Sequence, residues 1–356
     1  MRSINTSLPR QFLCYATAII TIGGFGSTAN AAAMLIPVTG HRDHAYDSDR
    51  GLLYITNTNG QILRYDLDAQ NFLTPFNVGV SLNGIDITTD GAFAYVAESQ
   101  TGATQGFIRK VNLDTGTHVN LAYTRAFGES GAYDVATAGS KVFFTTRYSG
   151  SGWTPMRAID TSDDSMQEVV SRVRQNTNLS AAADGSKVFF TESNSSGGPA
   201  GIIDVASLDI TTTRFNTSLS STQHAMSRNG QLIAVEFGGT TILDDQFNTV
   251  EILPAYNGGF AFSPVLNILY AAASSTDELV ALDTTTFSEL YRMDADGDIA
   301  GSTHFGAGPM STSPDGKYVF LNTSEGVRVF EVNDIPEPAS MLTLLLGVAA
   351  FTQRRH

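Results

Sequence analysis

A short pattern of residues recurs along the chain at intervals of about 40 to 50 residues, which is the period of propeller blades. Its clearest copy is the segment 311–332, STSPDGKYVFLNTSEGVRVFEV. An alternating strand leads to the turn Asp315-Gly316, residues 317–321 return, and residues 327–332 form a third strand after a polar loop. Asp-Gly pairs are favoured in tight hairpins because these turns need positive φ angles. We therefore expect a unit of short antiparallel strands, repeated around the molecule.

Six further copies align on their turns and predict an all-β, seven-bladed β-propeller over residues 34–333. The markers in chain order are residues 51–56 and 61–66, Asp90-Gly91, Gly139-Ser140, Asp184-Gly185, Asn229-Gly230, and residues 260–263 with 268–272. The last blade lacks a fourth strand before residue 334, whereas residues 34–38 form a spare strand before blade one. We predict that this N-terminal strand closes the last blade, since closure removes exposed sheet edges.

The charge balance excludes one class of partner. The chain has 35 Asp and Glu against 21 Lys and Arg, a net charge of −14, and no run of basic residues. An acidic surface repels phosphate backbones, so we expect no nucleic acid partner. The single cysteine, Cys14, lies in a segment that we expect to be removed. The mature chain would then have no disulfide, no thiolate metal site and no cysteine nucleophile.

Residues 1–31 have the organisation of a secretory signal peptide. Arg2 and Arg10 give a positive start, residues 12–22 are apolar, and Ala29-Asn30-Ala31 supplies a cleavage site of small residues. The sequence therefore predicts export.

Residues 334–356 resemble the PEP-CTERM sorting signal of Gram-negative bacteria. Pro336, Glu337 and Pro338 supply the motif, an apolar segment follows, and Arg354 and Arg355 form a positive end. The apolar segment is shorter than the roughly 20 residues of a spanning helix. The resemblance implies an exosortase as partner, transient anchoring at the inner membrane, cleavage near the motif, and release to the cell surface or extracellular matrix. A Pro-rich linker followed by an ordinary terminal helix is the alternative.

The repeats themselves resemble the YVTN-type seven-bladed β-propeller family. Tyr54-Ile55-Thr56-Asn57 nearly spells the family tetrapeptide, and the segments 260–264 and 313–317 match its strand and turn. Blades three and five depart from the pattern, and no Trp-Asp dipeptide occurs. The resemblance implies the fold but leaves the chemistry open, because the family includes lactonases, dehydrogenases and binding proteins.

Histidines are the strongest candidates for a site at the channel mouth. When the blades are aligned on their hairpin turns, counting back along the first strand gives one equivalent residue in each blade. These residues are His44, Ile85, Tyr133, Leu179, His224, Phe260 and Met310. Asp43 flanks the first histidine and Gln223 the second, and His304 precedes the last blade. Imidazoles there could bind a metal, act as general bases or bond a sugar. Polar residues that satisfy strand ends between blades are the alternative.

Two loops offer further candidates. Asp294, Asp296 and Asp298 alternate around a glycine, as in loops that bind Ca²⁺, although the EF-hand spacing is not met. A solvated acidic turn is the alternative. Tyr148 and Trp153, at a Gly- and Ser-rich loop, could stack on a sugar ring or cover the edge of their blade.

These features favour an exported surface or matrix protein with a binding or structural role. Exopolysaccharide or other surface proteins are the expected partners. The sequence contains no Gly-x-Ser-x-Gly elbow and no phosphate-binding or dinucleotide-binding loop. The alternative is a lactonase-like or other hydrolase at the channel mouth, with Ca²⁺ as its candidate cofactor. A compact cluster of carboxylates and imidazole at one mouth would favour the enzyme, and scattered polar residues with an exposed aromatic loop would favour the binding protein.

Overall fold

Each predicted repeat folds into a four-stranded antiparallel sheet, and seven such sheets stand side by side in a ring. The computed structural model describes residues 33–192, 198–214, 223–236, 239–254, 256–299 and 310–332. These ranges are all-β, and they contain no helix long and apolar enough to cross a membrane. The predicted seven-bladed β-propeller is confirmed.

The strands of a blade follow the chain from the innermost to the outermost, except in blade seven. The N-terminal strand is β1 (Met34–Pro37). Blades one to three contain β2 (His41–Asp47), β3 (Leu52–Asn57), β4 (Gln61–Asp66), β5 (Asn71–Asn77); β6 (Leu82–Ile87), β7 (Phe93–Glu98), β8 (Gln105–Asn112), β9 (His118–Thr124); β10 (Glu129–Ala138), β11 (Lys141–Tyr148), β12 (Trp153–Asp160) and β13 (Met166–Arg174). Blades four to seven contain β14 (Thr177–Ala181), β15 (Lys187–Glu192), β16 (Ala200–Asp204), β17 (Ile210–Arg214); β18 (His224–Met226), β19 (Leu232–Glu236), β20 (Thr240–Asp244), β21 (Thr249–Leu253); β22 (Gly259–Phe262), β23 (Ile268–Ala273), β24 (Glu278–Asp283), β25 (Glu289–Asp294); β26 (Met310–Thr312), β27 (Tyr318–Thr323) and β28 (Gly326–Glu331).

The Asp-Gly turn of the clearest repeat forms the hairpin between β26 and β27. Gly316 has a φ of 75°, a conformation that a side chain disfavours. Its N–H donates to the carbonyl oxygen of Ser313 at 2.9 Å. The Asp315 carboxylate accepts from the Ser313 hydroxyl at 2.6 Å and from the N–H of Lys317 at 3.1 Å. The turn residues therefore fix the register of the hairpin locally.

The N-terminal strand closes blade seven, as predicted. β1 pairs antiparallel with β28, and Met34 lies opposite Val329. Ile36 is completely buried, in one cluster with Leu53 of blade one and Phe320 of blade seven. The outermost strand of the last blade thus comes from the other end of the chain, and the ring has no unpaired edge where its ends meet.

The core is divided into seven apolar clusters in the described chain, one at each interface between neighbouring blades. The second strands supply most of the largest buried side chains, among them Tyr54, Tyr95, Phe143 and Phe320. These strands are apolar on both faces because both faces are covered by other blades. The outermost strands, such as β5, β9 and β21, are instead largely exposed to solvent.

Several predictions concern residues outside the described ranges. These are the signal peptide of residues 1–31, the sorting segment of residues 334–356 with Pro336, Glu337, Pro338, Arg354 and Arg355, and the candidate channel residue His304.

Candidate functional site in the central channel

The first strand of each blade lines the central channel. In every blade, one residue of this strand pairs with the residue at the equivalent position of the second strand. We call these residues the channel positions; they are His44, Ile85, Val135, Leu179, His224, Phe260 and Met310. The register agrees with the sequence alignment in six blades. In blade three it shifts between Ala132 and Val135, so Val135 takes the place that the sequence assigns to Tyr133.

His44 connects blade one to blade seven. Its Nδ1 lies 2.8 Å from Oδ1 of Asn322, and its Nε2 lies 2.9 Å from Oγ of Ser311. Nδ2 of Asn322 donates to the carbonyl oxygen of Arg42 at 3.1 Å, so Oδ1 faces the imidazole. It follows that Nδ1 carries the ring hydrogen and that Nε2 accepts from the serine hydroxyl. Burial lowers the pKa of His44 to about 4, and the ring is therefore neutral at physiological pH.

His224 holds the same channel position in blade five but has different surroundings. Its ring meets the ring of Phe189 in blade four edge-on, with the centroids 5.3 Å apart. In the part of the chain that the structure describes, its Nδ1 is buried without a hydrogen-bond partner. Burial lowers its pKa to about 4. The two histidines belong to different blade interfaces, and the structure does not bring them together as one site.

Three carboxylates on the inner strands tie consecutive blades together. One oxygen of each accepts the N–H of the residue that follows it in the strand. The other oxygen accepts a backbone N–H of the next blade: Asp43 from Ile85 at 2.9 Å, Asp86 from Thr137 at 2.7 Å, and Asp134 from Leu179 at 2.7 Å. We call a side chain that accepts a backbone N–H of the next blade a clamp. The three carboxylate clamps join blades one to four through the wall of the channel.

Burial raises the pKa of all three carboxyl groups, and the pKa of Asp43 reaches about 7. Their mutual repulsion acts in the same direction: Asp86 raises the pKa of Asp43, and both raise that of Asp134. The backbone N–H groups favour the ionised forms but do not outweigh burial. Asp43 is therefore partly protonated near neutral pH, and the channel is less negative than three fully ionised carboxylates would make it.

The channel widens into a cavity of about 560 Å³ at the face that carries the hairpins between first and second strands. Its wall includes His44, Asp86 and Ser311, and exposed hairpin residues such as Thr89 and Ala183 form its rim. The volume lies in the range of small-ligand sites. Hydroxyl and carboxyl groups in the wall give the cavity the chemistry to hold a hydrated, polar ligand.

The predicted aromatic pair lies at the opposite face, at the loop between β11 and β12. Tyr148 is in close contact with Gly128, since a Cβ there would come within 2.2 Å of its ring. The guanidinium carbons of Arg172 and Arg174 lie 5.1 and 5.3 Å from the centre of the Trp153 ring. Both aromatic side chains are partly buried. They pack on their own blade and do not border the cavity.

The other predicted channel residues that the structure describes form no cluster around the His44 imidazole. Gln223 is buried just before β18, and its Nε2 donates to the carbonyl oxygen of Asn257 at 2.8 Å. Tyr133 is buried in blade three. Among the predicted residues within the described ranges, only Asp43 lies beside His44, and its carboxylate turns to blade two instead of the imidazole.

The guanidinium of Arg328 already binds the acidic loop after β25. Nη1 of Arg328 donates to the carbonyl oxygens of Ala295 and Asp296 at 2.7 and 3.0 Å. The Asp294 carboxylate accepts the N–H of Asp296 at 2.8 Å. Among the described residues, Asp298 included, no three His, Cys, Asp or Glu side chains are placed to hold a metal ion. The carbonyl oxygens that a calcium ion would need serve the guanidinium.

Sequence reasoning missed four residues of the channel. Asp86 and Asp134 each precede a β-branched residue shortly before a hairpin turn, and this repeated pattern could have identified them. Ser311 and Asn322 have no local signal, because their partner His44 lies at the other end of the chain.

Comparison with known proteins supports the fold and assigns neither a family nor an activity. No protein-family model matches the chain, and no curated protein matches it. The chain is similar to the solved structure of Kuenenia stuttgartiensis hydrazine synthase, with a TM-score of 0.63 and 17% identity, covering 84% of this chain and 97% of that chain. It is also similar to a chain in the crystal structure of a mitotic checkpoint complex, with a TM-score of 0.64 and 13% identity, covering 93% and 100%. At these identities the likeness shows the propeller fold alone.

Proposed function

We propose that this chain is an exported β-propeller of the cell surface or extracellular matrix of a Gram-negative bacterium, and that it binds a polar ligand at the channel mouth. The observation that carries the proposal is the cavity of about 560 Å³, with Asp86, Thr137 and Ser311 in its wall. Exopolysaccharide is the first candidate ligand, because its hydroxyl groups match this wall. A surface protein is the second. Rigid rings that present loops and cavities at their ends suit such binding roles.

The binding test uses purified residues 32–334 with the host exopolysaccharide, simple sugars, lactones, and calcium with or without EDTA. Binding to the native state raises the melting temperature, and a ligand at about 100 times its dissociation constant adds about 2.7 kcal/mol to stability. We expect polysaccharide to raise the melting temperature. A calcium effect reversed by EDTA would assign an ion to the channel or to the loop 294–298. The Arg328 contacts lead us to expect none from that loop.

A blocked cavity separates specific binding from adsorption to the surface. Thr89→Trp with Ala183→Trp fills the rim at two exposed positions, so we expect an unchanged fold and lost polysaccharide binding. Ala69→Trp is the matched control, at an exposed turn of blade one on the same face of the ring. Equal binding by both variants would exclude the cavity. No response to any sugar would leave the propeller as a scaffold for another protein.

Export and sorting are proposed from the two ends of the sequence, and the YVTN-type repeat is proposed from the strand and turn motifs. Mass spectrometry of the protein from its host should find cleavage after Ala31 and near Pro336–Pro338. Replacing Pro336, Glu337 and Pro338 by alanine, or deleting the exosortase, should retain the protein at the inner membrane. Unchanged release in both cases would remove the sorting proposal and leave the binding proposal intact.

A further inference from the structure

Two serines lie one residue after the channel position, in blades four and seven, but they have different partners. Ser180 Oγ accepts the N–H of Met226 in the next blade at 3.0 Å, so it acts as a clamp like the carboxylates. Ser311 Oγ lies 2.9 Å from Nε2 of His44 and borders the cavity. The proton of Ser311 is therefore directed at a base, whereas the oxygen of Ser180 is engaged by a peptide group.

The imidazole is held in the orientation that such a base needs. Asn322 is completely buried and accepts the Nδ1 hydrogen, and its own amide is fixed by the Arg42 carbonyl. The Phe320 ring packs 5.9 Å from the imidazole, centroid to centroid. A nucleophile, a base within hydrogen-bond reach and a third group that orients the base form the arrangement of a catalytic triad.

We infer that Ser311, His44 and Asn322 form a hydrolytic triad, in which Ser311 attacks carboxylic esters bound in the channel cavity. Ser311 is the nucleophile and His44 the general base. Asn322 is a positioning residue, because it acts through the imidazole. The inference goes beyond ligand binding, since it assigns a reaction to one wall of the cavity.

The reaction needs nothing besides water. Ser311 Oγ forms a bond to the ester carbonyl carbon while its proton moves to Nε2 of His44. The carbon–oxygen bond to the leaving alcohol then breaks, and the alcohol takes that proton. A water molecule, deprotonated by the same Nε2, attacks the acyl-serine, and the carboxylic acid leaves as Ser311 regains its proton. Atoms, electrons and protons balance over the two steps.

An amide orients the imidazole but cannot stabilise its charged form as a carboxylate does. Exchanging the triad carboxylate for an amide costs serine proteases about 10⁴ in kcat. We therefore expect slow turnover, and covalent labelling is the better primary measurement. A fluorophosphonate probe reacts by forming a bond from Oγ to phosphorus and releasing fluoride, and it reports the activated hydroxyl directly.

The first experiment treats the folded full chain with the probe and maps the labelled peptides by mass spectrometry. We expect label on Ser311 and none on Ser180, which is the matched internal control. Ser311→Ala should lose the label, and Ser180→Ala should keep it. Absence of label on Ser311, or equal label on both serines, would overturn the inference and leave a purely structural contact between blades.

Asn322→Asp tests the positioning role. A carboxylate at this place should stabilise the imidazolium, so the labelling rate should rise about tenfold or more. Asn322→Ala should lower the rate while Ser311 remains in place. Melting temperatures of both variants check the fold. If neither variant changes the labelling rate, the imidazole is not held by Asn322 for catalysis.

The pH profile of the unaltered chain gives a measurement that needs no variant. Labelling requires the neutral imidazole, whose pKa burial lowers to about 4. His41, Arg42 and Asp43 are the titratable neighbours that precede it on its own strand, and the blade-seven side chains in contact with it, Ser311, Phe320 and Asn322, are uncharged. The rate should be flat at neutral pH and fall only as the pH approaches 4. A fall centred near the ordinary histidine pKa of 6.5 would contradict the proposed site.

Polysaccharide binding can fail while labelling of Ser311 succeeds, so the binding proposal and the triad proposal are judged separately.

Discussion

His44 and His224 hold the same channel position in two blades, and their neighbours determine what each can do. His44 is bonded at both nitrogens, to Asn322 and Ser311 of the adjoining blade. His224 packs on Phe189 and leaves Nδ1 buried and unpaired in the described chain. The first arrangement contributes hydrogen bonds across an interface, whereas the second withdraws a polar atom from water without replacing its partner.

Replacing each histidine by leucine should separate these two situations. His44→Leu leaves the Asn322 carbonyl buried without its donor, which should cost about 1–3 kcal/mol of unfolding free energy. His224→Leu removes an unpaired polar atom and places an apolar side chain against Phe189, so stability should stay constant or rise. Denaturant unfolding of the two variants measures the difference. Equal losses at both positions would show that packing volume, not hydrogen bonding, governs them.

Asp43→Asn should become more stabilising, relative to the unaltered chain, as the pH rises from 5 to 7. The folded-state pKa of Asp43 is raised to about 7 from an ordinary value of 3.8. Between these values the native state binds more protons than the unfolded state, so its stability falls with rising pH, by up to about 1.4 kcal/mol per unit. Asparagine carries no charge and escapes this loss while keeping one acceptor oxygen.

Melting temperatures across this pH range, for the variant and the unaltered chain, test the prediction. Asp163→Asn is the control, because Asp163 is exposed and its pKa is lowered by bonds to Ser165. It should give no gain with pH in this range. Parallel curves for Asp43→Asn and the unaltered chain would mean that Asp43 is ionised throughout.

At the scale of strands, the sequence was sufficient for the fold and insufficient for the site. The hairpin turns are local, so residues such as Asp315 and Gly316 identify a strand pair wherever they occur. The closing strand was predictable because an unpaired strand and an incomplete blade remained. The bulge that replaces Tyr133 by Val135 has no such signature, and it depends on how β10 fits its neighbours. Contacts such as Ser311 with His44 depend on ring closure, which no local pattern encodes.

Removing β1 should destabilise the propeller strongly. Deletion of residues 34–38 leaves β28 unpaired and removes Ile36, a completely buried side chain whose loss alone should cost about 2–5 kcal/mol. We compare a chain that begins at Ala33 with one that begins at Thr39, by thermal unfolding. A melting temperature within a few degrees for both would refute the closing role. Recovery on adding a peptide of residues 33–38 would show that the strand acts by pairing.

At the scale of the whole molecule, the acidic charge opposes the compact state. With 35 acidic against 21 basic residues, the folded surface repels itself more than the expanded chain does. Several ion pairs cross between strands or blades, for example Lys187 with Asp245 at 2.7 Å and Lys110 with Asp164 at 2.7 Å. They are partly exposed and contribute little individually. Net repulsion should therefore dominate the response to salt.

Raising the salt concentration from about 0.01 to 0.1 M should raise the melting temperature, because the screening length falls from about 30 to 10 Å. A variant with exposed Asp68 and Glu168 replaced by lysine should respond less, since it begins with less repulsion. Sodium chloride and potassium chloride should act alike. A fall in melting temperature with salt would show that the ion pairs outweigh the repulsion.

The ring can close only after the chain has been synthesised as far as β28, because β1 pairs with that strand. Among the described strands, β1 is synthesised first and its partner β28 last, so six blades can be complete on the ribosome before the seventh can close. A product that stops anywhere before Gly326 keeps β1 without a partner and the ring open. Proteases and chaperones that recognise open sheet edges can therefore distinguish a truncated chain from a full-length one by shape alone.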